Sequence, residues 1–170
     1  MIYALVRGWL AGMGVLLIEI LLGAFFFTGN FSPPLLLGDF DSPFLSLVLV
    51  AFLEESAKFA ALRGISSETI PFFRNAIFKG LLVGFGFALF EMCIKILFHT
   101  DATTDDSLFL GALSSTLLHI ATGGILGAAW FSRIKNQTPV TFFALFLLAF
   151  AVHTLYNAIL APLLFAPFSS

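Results

Sequence analysis

Eight charged or imidazole side chains interrupt the apolar stretches of this 170-residue chain: Glu19, Glu54, Glu55, Lys58, Glu91, Lys95, His119 and His153. Carboxylates and imidazoles are the groups that bind metals and move protons near neutral pH. Two histidines and a carboxylate from separate segments make the ligand set of a catalytic zinc site with an open position. Glu91, His119 and His153 can supply that set, with Glu54 beside it as general base toward a water. Without a metal, Glu54 would activate water directly while an imidazole and Asn157 steady an oxyanion. Both versions amount to hydrolysis of a carbonyl compound. The chain has no HExxH, so the pattern is not that of a zincin.

Spacing refines these roles. Glu54 and Lys58 are four apart, share a helix face and can pair. Glu55 lies about 100° round the same helix, so one carboxylate is expected in the site and the other on Lys58 or a neighbouring helix. Glu91 and Lys95 are also four apart, with Lys95 placed to snorkel outward. His153 and Asn157 are one turn apart, so the amide can orient the ring or donate to an oxyanion.

The elements that carry these residues are apolar and long. The chain is 59% hydrophobic and 11% charged, with 23 Phe, whereas a soluble domain is nearer a quarter charged. Spanning a bilayer takes about 20 mostly apolar residues. Segments near 8–28, 44–62, 76–98, 108–132 and 140–166 qualify. The expected fold is therefore an all-α membrane bundle of about five transmembrane helices. The segment near 8–28 has no small-x-small cleavage site before Asn30 and carries Glu19, so it is read as a retained span rather than a signal peptide. At a rise of about 1.5 Å per residue, Glu54, His119 and His153 fall about 15–20 Å deep and Glu91 about 11 Å. A charge at such depth costs roughly 2.5–3.5 kcal/mol on insertion scales, so these groups must turn inward, pair or line a wet cavity.

Charges between the spans set the orientation. Arg7, Arg63, Arg74, Lys79, Arg133 and Lys135 fall on one side, and Asp39, Asp41, Asp101, Asp105 and Asp106 on the other. The positive-inside rule then predicts a cytoplasmic N-terminus and a C-terminus outside. No basic stripe points to nucleic acid. Gly80 and Gly84, and Gly123 and Gly127, carry the four-residue spacing of close helix contacts. Cys93 is the only cysteine and is expected to pack, and His99 to be solvated beside the acidic link.

Four motifs follow one another: EExxK at Glu54, Glu55 and Lys58; FxxxE at Phe87 and Glu91; His119 followed by Gly123; and HxxxN at His153 and Asn157. In order, spacing and placement they resemble the PrsW family of intramembrane proteases, which belongs with the CAAX-type prenyl-protein endopeptidases and bacteriocin-processing enzymes in one superfamily. CAAX-type members carry EExxxR and FxxxH, so Lys58 and Glu91 bring this chain closer to the PrsW type. The resemblance covers about Leu45 to Pro162. It implies a single membrane-embedded domain over 1–170, with a peptidase-like core at about 45–162 and an extra N-terminal span near 8–28. It implies a membrane-embedded, usually metal-dependent peptidase acting on a membrane-associated protein or peptide, with functional roles for Glu54, Glu55, Glu91, His119 and His153, and a prokaryotic plasma membrane as its place.

Two other classes fit intramembrane acids and histidines. A proton- or ion-coupled transporter uses such chains, but commonly shows internal repeats, and none is visible here. A peptide-binding membrane scaffold without activity would tolerate Glu54→Gln. Glu19 lies outside the four motifs and is expected to hydrogen-bond across helices.

Overall fold

The computed structural model describes residues 1–26, 43–66, 68, 70–97, 105–135 and 138–160. Five helices run in order: α1 (Ile2–Phe26), α2 (Pro43–Arg63), α3 (Phe73–Leu97), α4 (Asp105–Ile134) and α5 (Pro139–Leu155), with α5 continuing into a π-helical turn, Tyr156–Leu160. The fold is all-helical, as expected of a polytopic membrane protein. Four helices are long and apolar enough to cross a bilayer, within Ile2–Leu21, Phe73–Leu97, Phe109–Ile134 and Pro139–Leu160. The fifth, α2, is 21 residues long. Its central Glu54, Glu55 and Lys58 keep it outside that apolar class, and it packs against α1, α4 and α5. Asp39, Asp41, Asp101 and His99 lie outside the described residues.

Boundaries differ from the sequence reading at two ends. The first helix begins at Ile2, so Arg7 lies in its second turn rather than being a flanking loop charge. There its Nη1 donates to the Ala61 carbonyl at 3.0 Å, and the Tyr3 hydroxyl donates to the Gly64 carbonyl at 3.4 Å. Carbonyls in the last turn of a helix lack intrahelical partners, and the Arg7 bond satisfies that of Ala61 in α2. At the other end, α4 starts at Asp105, which brings Asp105 and Asp106 into its first turn.

Two kinds of contact hold the bundle. Helices α3 and α4 meet backbone to backbone: a Cβ on Gly80 or Gly84 would strike the carbonyl of Gly123 or His119, and one on Gly123 or Gly127 the carbonyl of Gly80 or Ala76. Small residues permit such approach where lipid supplies no hydrophobic drive between helices. Gly8 on α1 and Gly86 on α3 make a second crossing of this kind, against the carbonyls of Val83 and Leu5. By contrast, α2 and α5 meet through aromatic rings. Phe52 packs edge-on against Phe146 and Phe150, and Phe59 against Phe142 and Phe146. Phe52 and Phe59 bracket Glu55 on one face of α2, so this seam turns Glu55 toward α5.

Candidate metal centre

Glu55 and His153 meet across the α2–α5 seam. Both are buried, and His153 Nδ1 lies 2.6 Å from Glu55 Oε1. The carboxylate can only accept, so Nδ1 carries the proton and Nε2 presents a lone pair. That lone pair faces Glu54 Oε2 at 3.3 Å. The two nitrogens of one imidazole thus reach two carboxylates set about 100° apart on α2. Glu54 Oε2 has no hydrogen-bond partner of its own among the described residues.

Lys58 is fully buried and joins the second histidine. Its Nζ contacts Glu55 Oε1 at 2.5 Å, His119 Nδ1 at 3.0 Å and Thr122 Oγ1 at 3.0 Å, and stands over the Phe87 ring. An ammonium has three hydrogens and no acceptor site, so all three are used. Lys58 therefore pairs with Glu55, at i−3, and not with Glu54 as its four-residue spacing suggested. The same arithmetic makes His119 Nδ1 an acceptor. Its Nε2 then carries the proton and donates to Glu91 Oε2 at 2.6 Å. Glu91 Oε2 also accepts from Ser115 at 2.7 Å, and Glu91 Oε1 pairs with Lys95 at 2.5 Å.

Exposure rises along this network. Lys58 and Glu55 are 0% exposed, His119 1%, His153 2%, Glu54 13%, Glu91 28% and Lys95 41%. The site is closed around Lys58 and opens toward Glu54 and Glu91. It brings together Glu54, Glu55, Lys58, Glu91, His119 and His153, all singled out in the sequence. Asn157 lies half-buried in the π-helical turn and makes no hydrogen bond to these residues among those described.

The donor set suits a divalent metal. One atom from each of Glu54, His119 and His153 lies within 4.8 Å of the others. His153 has its second nitrogen held by a carboxylate, the usual support for a metal-binding imidazole. Glu54 supplies an unpartnered buried oxygen. His119 has both nitrogens engaged, so it would exchange one hydrogen bond on binding.

The profile of the PrsW family of intramembrane metalloproteases matches residues 1–168. The chain belongs to that family. The match extends beyond the motif-bearing segment into α1. No match to a curated protein or to a solved structure was found.

Two contributors escaped the sequence reading: Ser115 donates to Glu91, and Thr122 accepts from Lys58. Phe87, already part of the FxxxE motif, lies under the Lys58 ammonium. The signal was present on α4: Ser115, His119 and Thr122 fall at i, i+4 and i+7, a polar stripe on an apolar helix.

Proposed function

We propose that this chain is an intramembrane endopeptidase that hydrolyses peptide bonds of membrane-associated protein substrates. The observation that carries the reading is the pair formed by Glu54 Oε2, buried without a partner, and His153 Nε2, left free because Glu55 holds the other nitrogen. Glu54, His119 and His153 would hold the metal, zinc by the chemistry of the set. When bound, it supplies Lewis acidity toward a water or a scissile carbonyl.

The chain's own residues divide the remaining work. With Oε2 turned to the metal, Glu54 keeps a second carboxylate oxygen to take the proton of the attacking water, whereas Glu55 is sealed off. Glu55 orients His153, and Lys58 fixes Glu55 and His119 at once. Glu91, at the wetter edge, holds His119 Nε2 and is the next carboxylate to which a proton can pass. Asn157 is kept as an oxyanion donor. The basic ends of the helices mark the cytoplasmic side, in a prokaryotic plasma membrane.

The test is cleavage by the purified protein in proteoliposomes with a mixture of membrane proteins in water enriched in oxygen-18. New C-termini carrying the label, present with wild type and absent with folded Glu54→Gln, are expected. Equal cleavage by both would overturn the assignment of Glu54, and no cleavage by either would overturn the endopeptidase reading.

A further inference from the structure

The end of the bundle where α2 and α4 finish and α3 and α5 start is basic. Arg7, Arg63, Arg74, Lys79, Arg133 and Lys135 lie there; Glu68 is the one acid between α2 and α3, and the sequence has none between α4 and α5. Two of these cations are held on aromatic rings at the junction of α3 and α4. The Arg74 guanidinium lies 5.6 Å from the centre of the Phe72 ring, and the Lys135 ammonium 5.9 Å from that of Phe131. Phe73 joins the two pairs, edge-on to Phe131 with ring centres 5.4 Å apart. The backbone crossing explains this meeting. Gly127 packs on Ala76, and Phe131 and Phe73 each follow one turn on, toward the basic end. The entry to α3 is fixed as well. Ile65 and Ile70 are buried, and the Phe72 carbonyl accepts from the N–H groups of Asn75 and Ala76 at 3.0 and 3.4 Å.

Rings and cations call for different surroundings. Phe72 is 58% exposed and Phe73 51%. At the end of a spanning helix such rings lie among acyl chains just beneath the headgroups. Arg74 and Lys135 are exposed and, among the described residues, pair with no carboxylate. Cations stacked on rings at that depth stand at the level of the lipid phosphates. The group that suits both halves is a phosphodiester carrying acyl chains. A zwitterionic lipid brings a cation of its own beside Arg74 and Lys135, so a headgroup of net negative charge is preferred.

We infer that the α3–α4 junction is a binding site for an anionic phospholipid: Arg74 and Lys135 hold its phosphate, and Phe72, Phe73 and Phe131 line the path of its first acyl carbons. The site is independent of the metal reading above. It ties together the ends of the two helices that carry Glu91 and His119.

The test is quenching of Trp130 fluorescence by brominated lipids, in the full chain carrying Trp9→Phe and reconstituted in phosphatidylcholine vesicles. Trp130 is buried and directly precedes Phe131. Brominated phosphatidylglycerol and brominated phosphatidylcholine are each added as a minor component, and the ratio of their association constants is the readout. A basic residue at an anionic headgroup is worth about fivefold. With the junction intact, phosphatidylglycerol should be favoured by at least about tenfold. Arg74→Gln/Lys135→Gln should bring the two lipids to about equal association, and Arg63→Gln should stay near the parent. Arg63 is exposed at the end of α2 and serves as the charge control. If the double variant is not folded by circular dichroism, each single variant replaces it, with an expected loss of about fivefold. Equal quenching by the two lipids with the junction intact, or the same loss in Arg63→Gln as in the double variant, overturns the inference. Loss of the preference on adding excess glycerol phosphate also overturns it, because the ligand is then a soluble phosphate and not a lipid.

Discussion

Removing the Lys58 ammonium tests the network at its most buried point. In Lys58→Met the stem's volume is kept and the charge is lost. Glu55 loses its cation while remaining 0% exposed, and His119 Nδ1 and Thr122 Oγ1 each lose a donor. Breaking a buried ion pair by deleting one member costs about 3–5 kcal/mol in soluble proteins. Interhelical hydrogen bonds in membranes are worth less, about 0.6 kcal/mol on average, because the unfolded segment finds other partners. A total near 3 kcal/mol follows, about a hundredfold in the folded-to-unfolded ratio. Glu55→Gln removes the charge that Lys58→Met strands, so the double variant should cost at least about 1 kcal/mol less than the sum of the singles. The assay is reversible unfolding in mixed micelles with rising dodecyl sulfate, read by circular dichroism and by fluorescence of Trp9 and the buried Trp130. A loss below about 1 kcal/mol for Lys58→Met, or strict additivity with Glu55→Gln, would refute the reasoning.

Other perturbations separate packing from chemistry. Gly84→Ala drives a Cβ into the His119 carbonyl, so it should cost about 1–3 kcal/mol and weaken Zn²⁺ binding; Gly14→Ala, with nothing near its Cβ, should stay within about 0.5 kcal/mol. The two measurements are an unfolding midpoint and a chelator competition. Glu54→Gln should lose turnover by about a hundredfold or more while unfolding like wild type. Glu55→Gln should lose stability as well, because Lys58 then has no carboxylate. Arg7→Leu frees the Ala61 carbonyl at the end of α2 and should raise hydrogen exchange over 61–65, at a cost of about 1–2 kcal/mol.

Helices, motif residues and the acid–imidazole chemistry were legible because each leaves a local mark: apolar length, a charge inside it, a repeat of four. Pairings were not. Lys58 bonds to Glu55 although Glu54 has the better-known spacing, since the Phe52–Phe59 seam, a long-range contact, decides which carboxylate faces α5. His153 reaches both carboxylates, which helical angles alone seemed to forbid, because a ring carries a nitrogen on each of two sides. Arg7 looked like a loop charge because a charge near a terminus usually is one; its partner lies 54 residues away, beyond the reach of local pattern. The glycine pairs on α3 and α4 were legible as contacts, but not that Gly84 lies against the backbone of His119.

Metal content of the purified, chelator-free protein tests the central claim most directly, with wild type measured beside His119→Ala/His153→Ala and both shown to be folded. The account predicts near-stoichiometric divalent metal in the wild type and none in the double variant. Metal-free wild type, or equal metal in both, would contradict it.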